Sequence, residues 1–167
     1  MRTLYLCRHA KSSWADAGMR DHDRPLNERG LRNAPFMAAQ FKARQEPIDL
    51  IVSSTALRAI TTARSFAHAL GLAEDRIVQN AAIYHAELSM LMRVVNDLPN
   101  TAERIMLFGH NPGFTYLLDH LADAGVANLP TCGLVRIDLH VDDWRAVSKG
   151  CGSMVWFDYP KRHPGQS

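Results

Sequence analysis

The stretch LYLCRHAKSSW, residues 4–14, changes from apolar to charged within two residues. Residues 4–7 form a continuous apolar run, and Arg8 and His9 follow it without a spacer. Such a run is typical of a strand that is buried on both faces of a parallel sheet. The sequence therefore predicts a central strand over 3–7 that carries two nitrogen-rich side chains at its carboxyl end.

Further strand and helix patterns alternate along the chain. Apolar runs predict strands at 49–54 (DLIVSS) and 104–109 (RIMLFG), a short strand at 75–79, and a late hairpin-like pair at 134–141 and 153–159. Helical patterns cover 28–45, 56–71, 87–98 and 112–125, with Asn27 as a cap, a possible kink at Pro35, and Gly71 and Gly125 as terminating residues. Alternating strands and helices predict a three-layer α/β sandwich with a mostly parallel central sheet and helices on both faces. We expect one domain over 1–160 and a frayed tail over 161–167.

The composition excludes several classes of protein. Nineteen basic and 17 acidic residues give a net charge of +2, which is too balanced for a dedicated nucleic-acid binder. No apolar run approaches the roughly 18 residues of a membrane span, and the N-terminal residues do not fit a signal peptide. The three cysteines form no CxxC pair, so we expect reduced thiols in a cytoplasmic protein that binds neither nucleic acid nor membrane.

Basic side chains follow three of the predicted strands. Arg8 and His9 end the first strand, Arg58 comes just after the second, and His110 lies in GHNPG (109–113) after the strand at 104–109. Ligands bind beyond the carboxyl ends of strands in an open parallel sheet, so we expect these four side chains to meet. Arginine forks match phosphate oxygens, and helix N-termini add N–H groups that suit an anion.

The same pattern favours histidine chemistry over metal chemistry. Neighbouring arginines repel a cation, and no carboxylate cluster is evident, so we expect no metal. Arginine also disfavours the charged form of a neighbouring imidazole and lowers its pKa. A neutral imidazole has a free lone pair that can attack phosphorus.

These motifs resemble the histidine phosphatase superfamily, with its phosphoglycerate-mutase-like fold, and are most similar to the short SixA-type phosphohistidine phosphatases. The matching stretches occur in family order: LCRHAKSSW (6–14), DRPLNERG (23–30), SSTALRAITTA (53–63), IYHAEL (83–88) and LFGHNPG (107–113). The resemblance implies that His9 is a nucleophile that becomes phosphorylated, and that Arg8, Arg58 and His110 hold the phosphoryl oxygens. It implies no cofactor. Lys11 and Ser12 are further candidates for phosphate contacts.

The sequence departs from the family pattern in two places, at a backbone position usually held by glycine and in the residue expected to donate a proton. Ala10 stands where the motif usually has glycine. The alanine side chain would disfavour a positive φ at this position. The family's usual proton donor is a mid-chain glutamate. Here His85 and Glu87 occupy that region, and Glu87 fits better as a first-turn helix acid. We also expect Asp23 and Arg24 to form a loop-orienting salt bridge.

A weak or absent acid favours substrates whose leaving group can be protonated beforehand, as the imidazole of phosphohistidine can. We therefore expect a metal-independent phosphatase that acts on phosphohistidine in a protein and releases inorganic phosphate. Two alternatives stay open. One is a phosphatase of small activated or ordinary phosphomonoesters, and the other is a catalytically silent phosphate-binding module.

Overall fold

A computed structural model describes residues 1–166 and contains, within that range, one mixed sheet of six strands. The strands are β1 (Arg2–Arg8), β2 (Leu50–Ser53), β3 (Val78–Gln79), β4 (Arg104–Gly109), β5 (Leu134–Leu139) and β6 (Gly152–Asp158). Their spatial order is β3-β2-β4-β1-β5-β6. The first four in this order pair in parallel, whereas β5 and β6 pair antiparallel with their neighbours. The predicted mostly parallel sheet and late hairpin-like pair are confirmed.

The described residues also form four α-helices, which are α1 (Glu28–Ala43), α2 (Leu57–Ala69), α3 (Leu88–Asn96) and α4 (Gly113–Ala122). The side chain of Asn27 caps α1 by accepting a hydrogen bond from the Gly30 amide at 2.9 Å. Pro35 lies in the middle of α1, which continues through it. Within residues 1–166, no helix is long and apolar enough to cross a membrane.

The sheet separates two apolar cores, because successive side chains of a strand point to opposite faces. Leu4 and Leu6 of β1 pack on the side of α3 and α4, in a core that contains Trp144. Tyr5 and Cys7 of the same strand pack on the side of α1 and α2. This arrangement is the predicted three-layer sandwich.

Several predicted boundaries differ from the structure. The strand predicted over 75–79 is paired only at β3, because 74–76 forms a 3₁₀ turn. Helix α4 ends earlier than predicted, because Asp123 already takes the left-handed conformation (φ 46°), two residues before Gly125, whose φ is also positive (68°). Where the predicted domain passes into the predicted tail over 161–167, residues 160–162 form a 3₁₀ turn, and His163 Nε2 lies 2.7 Å from Asp158 Oδ1. Position 167 lies outside the described residues.

Candidate active site

The carboxyl end of β1 is held by its neighbours on both sides. The His9 amide donates to the Gly109 carbonyl of β4 at 3.0 Å. On the other side, the Cys132 amide lies 3.0 Å from the Arg8 carbonyl and 3.1 Å from the His9 carbonyl. Because both neighbouring segments contribute, the backbone that carries Arg8 and His9 has little freedom to move.

The ring of His9 is fixed in one tautomer. Its Nδ1 lies 2.7 Å from the carbonyl oxygen of Ala10. A carbonyl can only accept, so Nδ1 must carry the proton. The lone pair of the neutral ring therefore resides on Nε2, the nitrogen that is available to attack an electrophile.

His9 is neutral at physiological pH. Only 7% of the residue is exposed, and this burial is the largest cause that lowers the pKa of its imidazole, to about 3. The charges of Arg58, Arg8 and Arg24 lower it further, whereas the hydrogen bond with Ala10 opposes the shift. The lowered pKa that the sequence predicts is confirmed, but desolvation contributes more than the neighbouring arginines.

A carboxylate that the sequence reasoning missed orients Arg58. Arg58 is 3% exposed and donates to the Asp21 backbone carbonyl at 2.7 Å and to Asp21 Oδ2 at 2.9 Å. The same Oδ2 accepts from the Tyr84 hydroxyl at 2.6 Å. Burial raises the pKa of Asp21, but the hydrogen bonds from Tyr84, Arg58 and Arg24 outweigh it and hold this pKa well below its usual range. These hydrogen bonds favour the carboxylate form of Asp21, which clamps the Arg58 guanidinium.

The predicted salt bridge between Asp23 and Arg24 is wrong. Arg24 Nε pairs with Asp21 Oδ1 at 3.0 Å, which is the i,i+3 partner, whereas exposed Asp23 pairs with Arg20 at 3.6 Å. Arg24 is itself buried, and its guanidinium stacks 3.6 Å from the centroid of the Trp14 ring. It also donates to Ser12 Oγ at 2.6 Å. Arg24 thus belongs to the site and links Asp21 to the loop that follows His9.

That loop is supported by close backbone packing. The Lys11 carbonyl accepts from the Asn27 amide at 3.0 Å, and a Cβ on Gly30 would lie 2.2 Å from the same carbonyl oxygen. The Ala10 amide donates to Thr62 Oγ1 at 3.0 Å, and this hydroxyl donates to the Arg58 carbonyl at 2.8 Å. Ala10 is not among the residues with a positive φ, so alanine replaces the family glycine there without backbone strain.

His110 faces His9 from the end of β4, with 5.2 Å between the ring centroids. Its Nε2 lies 2.8 Å from Ser54 Oγ, and its Nδ1 is buried without a hydrogen-bond partner in residues 1–166. Burial is the largest cause that lowers the pKa of His110 far below its ordinary value, and the nearby His9 and Arg58 lower it further. His110 is therefore a neutral hydrogen-bonding group in the resting site.

Both predicted proton donors are exposed. The side chain of His85 is 65% exposed, with its Nε2 3.3 Å from Asp21 Oδ2 and its ring stacked on Tyr84 at 4.0 Å. Glu87 is exposed and directly precedes α3, where its side chain makes no capping hydrogen bond. Glu87 thus lies at the N-cap of α3, one residue before the first helical turn in which the sequence analysis places it.

The structure brings the predicted phosphate ligands together in one cavity of about 280 Å³. Its lining includes Arg8, His9, Lys11, Ser12, Arg58, His85 and His110, and adds Trp14, Asp21, Arg24, Asn111 and Thr131. Glu87 lies outside it and lines an adjoining cavity. Within residues 1–166, no group of three or more His, Cys, Asp or Glu side chains is arranged to hold a metal ion. The cavity combines three arginines with two neutral imidazoles, an environment that suits a phosphate dianion.

Three of the residues that were missed lie inside motifs that the sequence analysis used, because Ser54 and Thr62 lie in SSTALRAITTA and Tyr84 lies in IYHAEL. Asp21 lies outside these motifs, two residues before DRPL, whereas Arg24 lies within DRPL and was assigned a different partner. The i,i+3 spacing of Asp21 and Arg24 was an available signal. No local spacing could indicate Tyr84, because 63 residues separate it from Asp21.

Comparison with known proteins is consistent with this geometry. The family model of the histidine phosphatase superfamily (branch 1) matches residues 4–82. An uncharacterized Mycobacterium tuberculosis protein is 32% identical, over 92% of this chain and 99% of its own length. The crystal structure of a SixA-type protein from Agrobacterium tumefaciens is 30% identical, covers 95% of this chain and 98% of its own, and superposes with a TM-score of 0.80.

A further solved structure, the protein histidine phosphatase SixA in complex with tungstate, has a TM-score of 0.80 at 20% identity and supports the fold. The ordered motifs, the full-length relative and the matching α/β architecture agree with one another. The chain belongs to the histidine phosphatase superfamily, within which it is a phosphatase of the SixA type.

Proposed function

We propose that this phosphatase removes the phosphoryl group from phosphohistidine in a protein, without a metal and through a covalent intermediate on His9. Arg8, Arg58 and His110 hold the phosphoryl oxygens, with Lys11 and Ser12 at the edge of the same cavity. Support comes from the defined tautomer of His9, whose Nε2 carries a lone pair among three arginines.

In the first step, the lone pair of His9 Nε2 forms a bond to phosphorus. The phosphorus–nitrogen bond of the substrate breaks, and its electron pair returns to the substrate ring. That ring already carries a proton on its other nitrogen, so it leaves as neutral imidazole. His9 then holds the phosphoryl group on Nε2 and a proton on Nδ1, and the Ala10 carbonyl stabilises the resulting cation.

In the second step, a water oxygen attacks phosphorus and the bond to Nε2 breaks. Neutral His9 is regenerated with its proton still on Nδ1, and the two water protons remain on the inorganic phosphate that departs. Both steps expel an imidazole that is already protonated on its distal nitrogen. Catalysis therefore relies on positioning and on the charges around the phosphoryl oxygens.

The hydrogen bonds that Asp21 accepts from Arg24, Arg58 and Tyr84 are the observation that carries this choice of substrate. Asp21 carries the one carboxyl group among the described residues that line the phosphate cavity, and the hydrogen bonds that it accepts favour its ionised form. An ionised carboxylate cannot supply the proton that an alkoxide leaving group needs. Phosphohistidine does not require that proton.

The decisive measurement is phosphate release from a phosphohistidine peptide, a phosphoserine peptide and an aryl phosphate, with His9→Ala as the blank. We expect the phosphohistidine peptide to be turned over at least about a hundredfold faster than the phosphoserine peptide. The variant should be inactive but should keep the wild-type unfolding transition. Activity that persists in His9→Ala would overturn the covalent mechanism.

Comparable turnover of the oxygen esters would indicate that a proton donor acts in the site. It would then assign His85 or Glu87 that role and favour a phosphatase of small phosphomonoesters. Trapping of phosphate on His9 would exclude a silent binding module. Metal independence predicts unchanged activity in EDTA, and a loss that Mg²⁺ or Zn²⁺ restores would contradict it.

A further inference from the structure

We propose that a second cavity beside the phosphate cavity binds the aromatic leaving ring of the substrate. We call it the ring subsite and define it by His85, Leu88, Pro112 and Tyr116. The inference rests on the proposed function and adds the part of the site that recognises the group attached to phosphorus.

The ring subsite adjoins the phosphate cavity. The two cavities share three lining residues, which are His85, His110 and Asn111. The subsite has a volume of about 410 Å³, compared with about 280 Å³ for the phosphate cavity. A leaving group is one bond away from phosphorus, so its ring must occupy space that adjoins the phosphoryl oxygens.

The chemistry of the walls suits a flat, partly polar ring. Tyr116 in the first turn of α4 is 58% exposed, and an aromatic side chain of that size offers a face for stacking. Leu88 and Pro112 add apolar surface, and Glu87 lines the same cavity with a carboxylate. An imidazole with a proton on its distal nitrogen matches this combination, because its faces are apolar and its N–H can donate a hydrogen bond to the carboxylate.

Close backbone packing forms the floor of the subsite. A Cβ on Gly113, the first residue of α4, would lie 2.6 Å from the Ala86 carbonyl oxygen. The start of α4 is thus pressed against the segment that precedes α3. His85 in this segment has a φ of 52°, a left-handed conformation that is uncommon for a residue other than glycine. His85 lines both cavities, and backbone strain of this kind concentrates at functional sites.

The test compares two non-hydrolysable phosphonates that differ only in the attached group. Calorimetry would measure the affinities of phenylphosphonate and methylphosphonate for the wild-type protein, Tyr116→Ala and Tyr116→Phe. We expect the wild type to bind phenylphosphonate about tenfold tighter, as one stacked ring provides. Tyr116→Ala should lose most of that preference, and Tyr116→Phe should keep it. Leu31→Ala, which truncates an exposed apolar residue on α1, is the matched control and should keep it as well.

A kinetic arm separates this inference from the proposed function. In Tyr116→Ala, the ratio of kcat/KM for a phosphohistidine peptide to that for phosphoramidate, which has no ring, should fall about tenfold. An unchanged ratio together with an unchanged phosphonate preference would overturn the ring subsite while the proposed function stands. If the wild type does not hydrolyse the phosphohistidine peptide but still prefers phenylphosphonate, the proposed function is overturned and an aryl-binding subsite is supported.

Discussion

At the scale of single residues, the environment of the two buried histidines determines when they are charged. His9 and His110 are each 7% exposed, and burial is the largest cause of the lowered pKa in both. A histidine that folding keeps neutral binds fewer protons in the native state than in the unfolded state. These two residues therefore make the native state sensitive to mild acid.

We predict that the free energy of unfolding decreases between pH 7 and pH 5. Within this window the two imidazoles take up protons in the unfolded chain, where their pKa is near 6.5, but stay neutral in the native state. Each buried histidine should cost about 2 kcal/mol. Asp21 titrates below this window and does not mask the effect. Urea titrations in phosphate-free buffer should show a loss in His9→Gln that is about half of the wild-type loss, and an identical loss in both proteins would contradict the assignment.

A second prediction at this scale concerns Asp21. Its two carboxylate oxygens accept from Arg58, Arg24 and Tyr84, and an amide would turn one of these oxygens into a donor. Asp21→Asn should therefore lower kcat/KM by about tenfold, because one misplaced charge-assisted hydrogen bond costs roughly 1.5–3 kcal/mol. Steady-state kinetics checks this, with circular dichroism as the control for folding. Equal or higher kcat/KM in the variant would show that Asp21 opposes phosphate binding more than it orients the arginines.

At the scale of elements, the N-terminus of α1 supports the loop that follows His9. The Asn27 side chain caps the helix, and the Asn27 backbone N–H donates a hydrogen bond to the Lys11 carbonyl. Gly30 lets the backbone of the helix approach the backbone of the loop closely. This explains physically why the DRPLNERG stretch matters to a site whose proposed nucleophile, His9, lies more than a dozen residues earlier. The helix positions the loop without supplying a group to the chemistry.

Gly30→Ala tests this support. The added Cβ would meet the Lys11 carbonyl oxygen at 2.2 Å, and since the helix backbone fixes this Cβ and the oxygen is itself a backbone atom, the loop has to shift. We expect a destabilisation of about 1–3 kcal/mol and a clear loss of activity. Gly18→Ala is the matched control, because its Cβ would have only an ordinary contact with Asp16 at 3.5 Å. Wild-type stability and turnover in Gly30→Ala would refute the supporting role.

At the scale of the whole molecule, folding buries two of the three cysteines. Cys7 and Cys132 are 0% exposed, whereas Cys151 is half-buried. Burial also raises the pKa of the Cys7 thiol, so folding lowers its reactivity in two ways. The accessibility of the thiols therefore reports on the integrity of the fold.

With a thiol reagent such as DTNB, we predict that the native protein reacts at Cys151 and that Cys7 and Cys132 react only after unfolding in urea. The native phase should disappear in Cys151→Ser. Rapid labelling of all three thiols without urea would show that the region around β1 opens readily.

Much of the architecture could be read from the sequence because it depends on local patterns. Continuous apolar runs identified β1, β2 and β4, and strand ends in a parallel sheet meet at one edge, which brought Arg8, His9, Arg58 and His110 together. Boundaries were less accurate. The short β3 and the end of α4 depend on pairing and on the conformation of Asp123, which an apolar pattern does not encode.

The sequence by itself determined the layers of the fold and the identity of the basic groups, because periodicity and residue chemistry are local properties. Only the tertiary structure decided the tautomer of His9, the clamp of Asp21 on Arg58 and the cavity beside Tyr116. Each of these depends on distances and on desolvation. Such quantities exist only once residues that are distant in the chain are packed against one another.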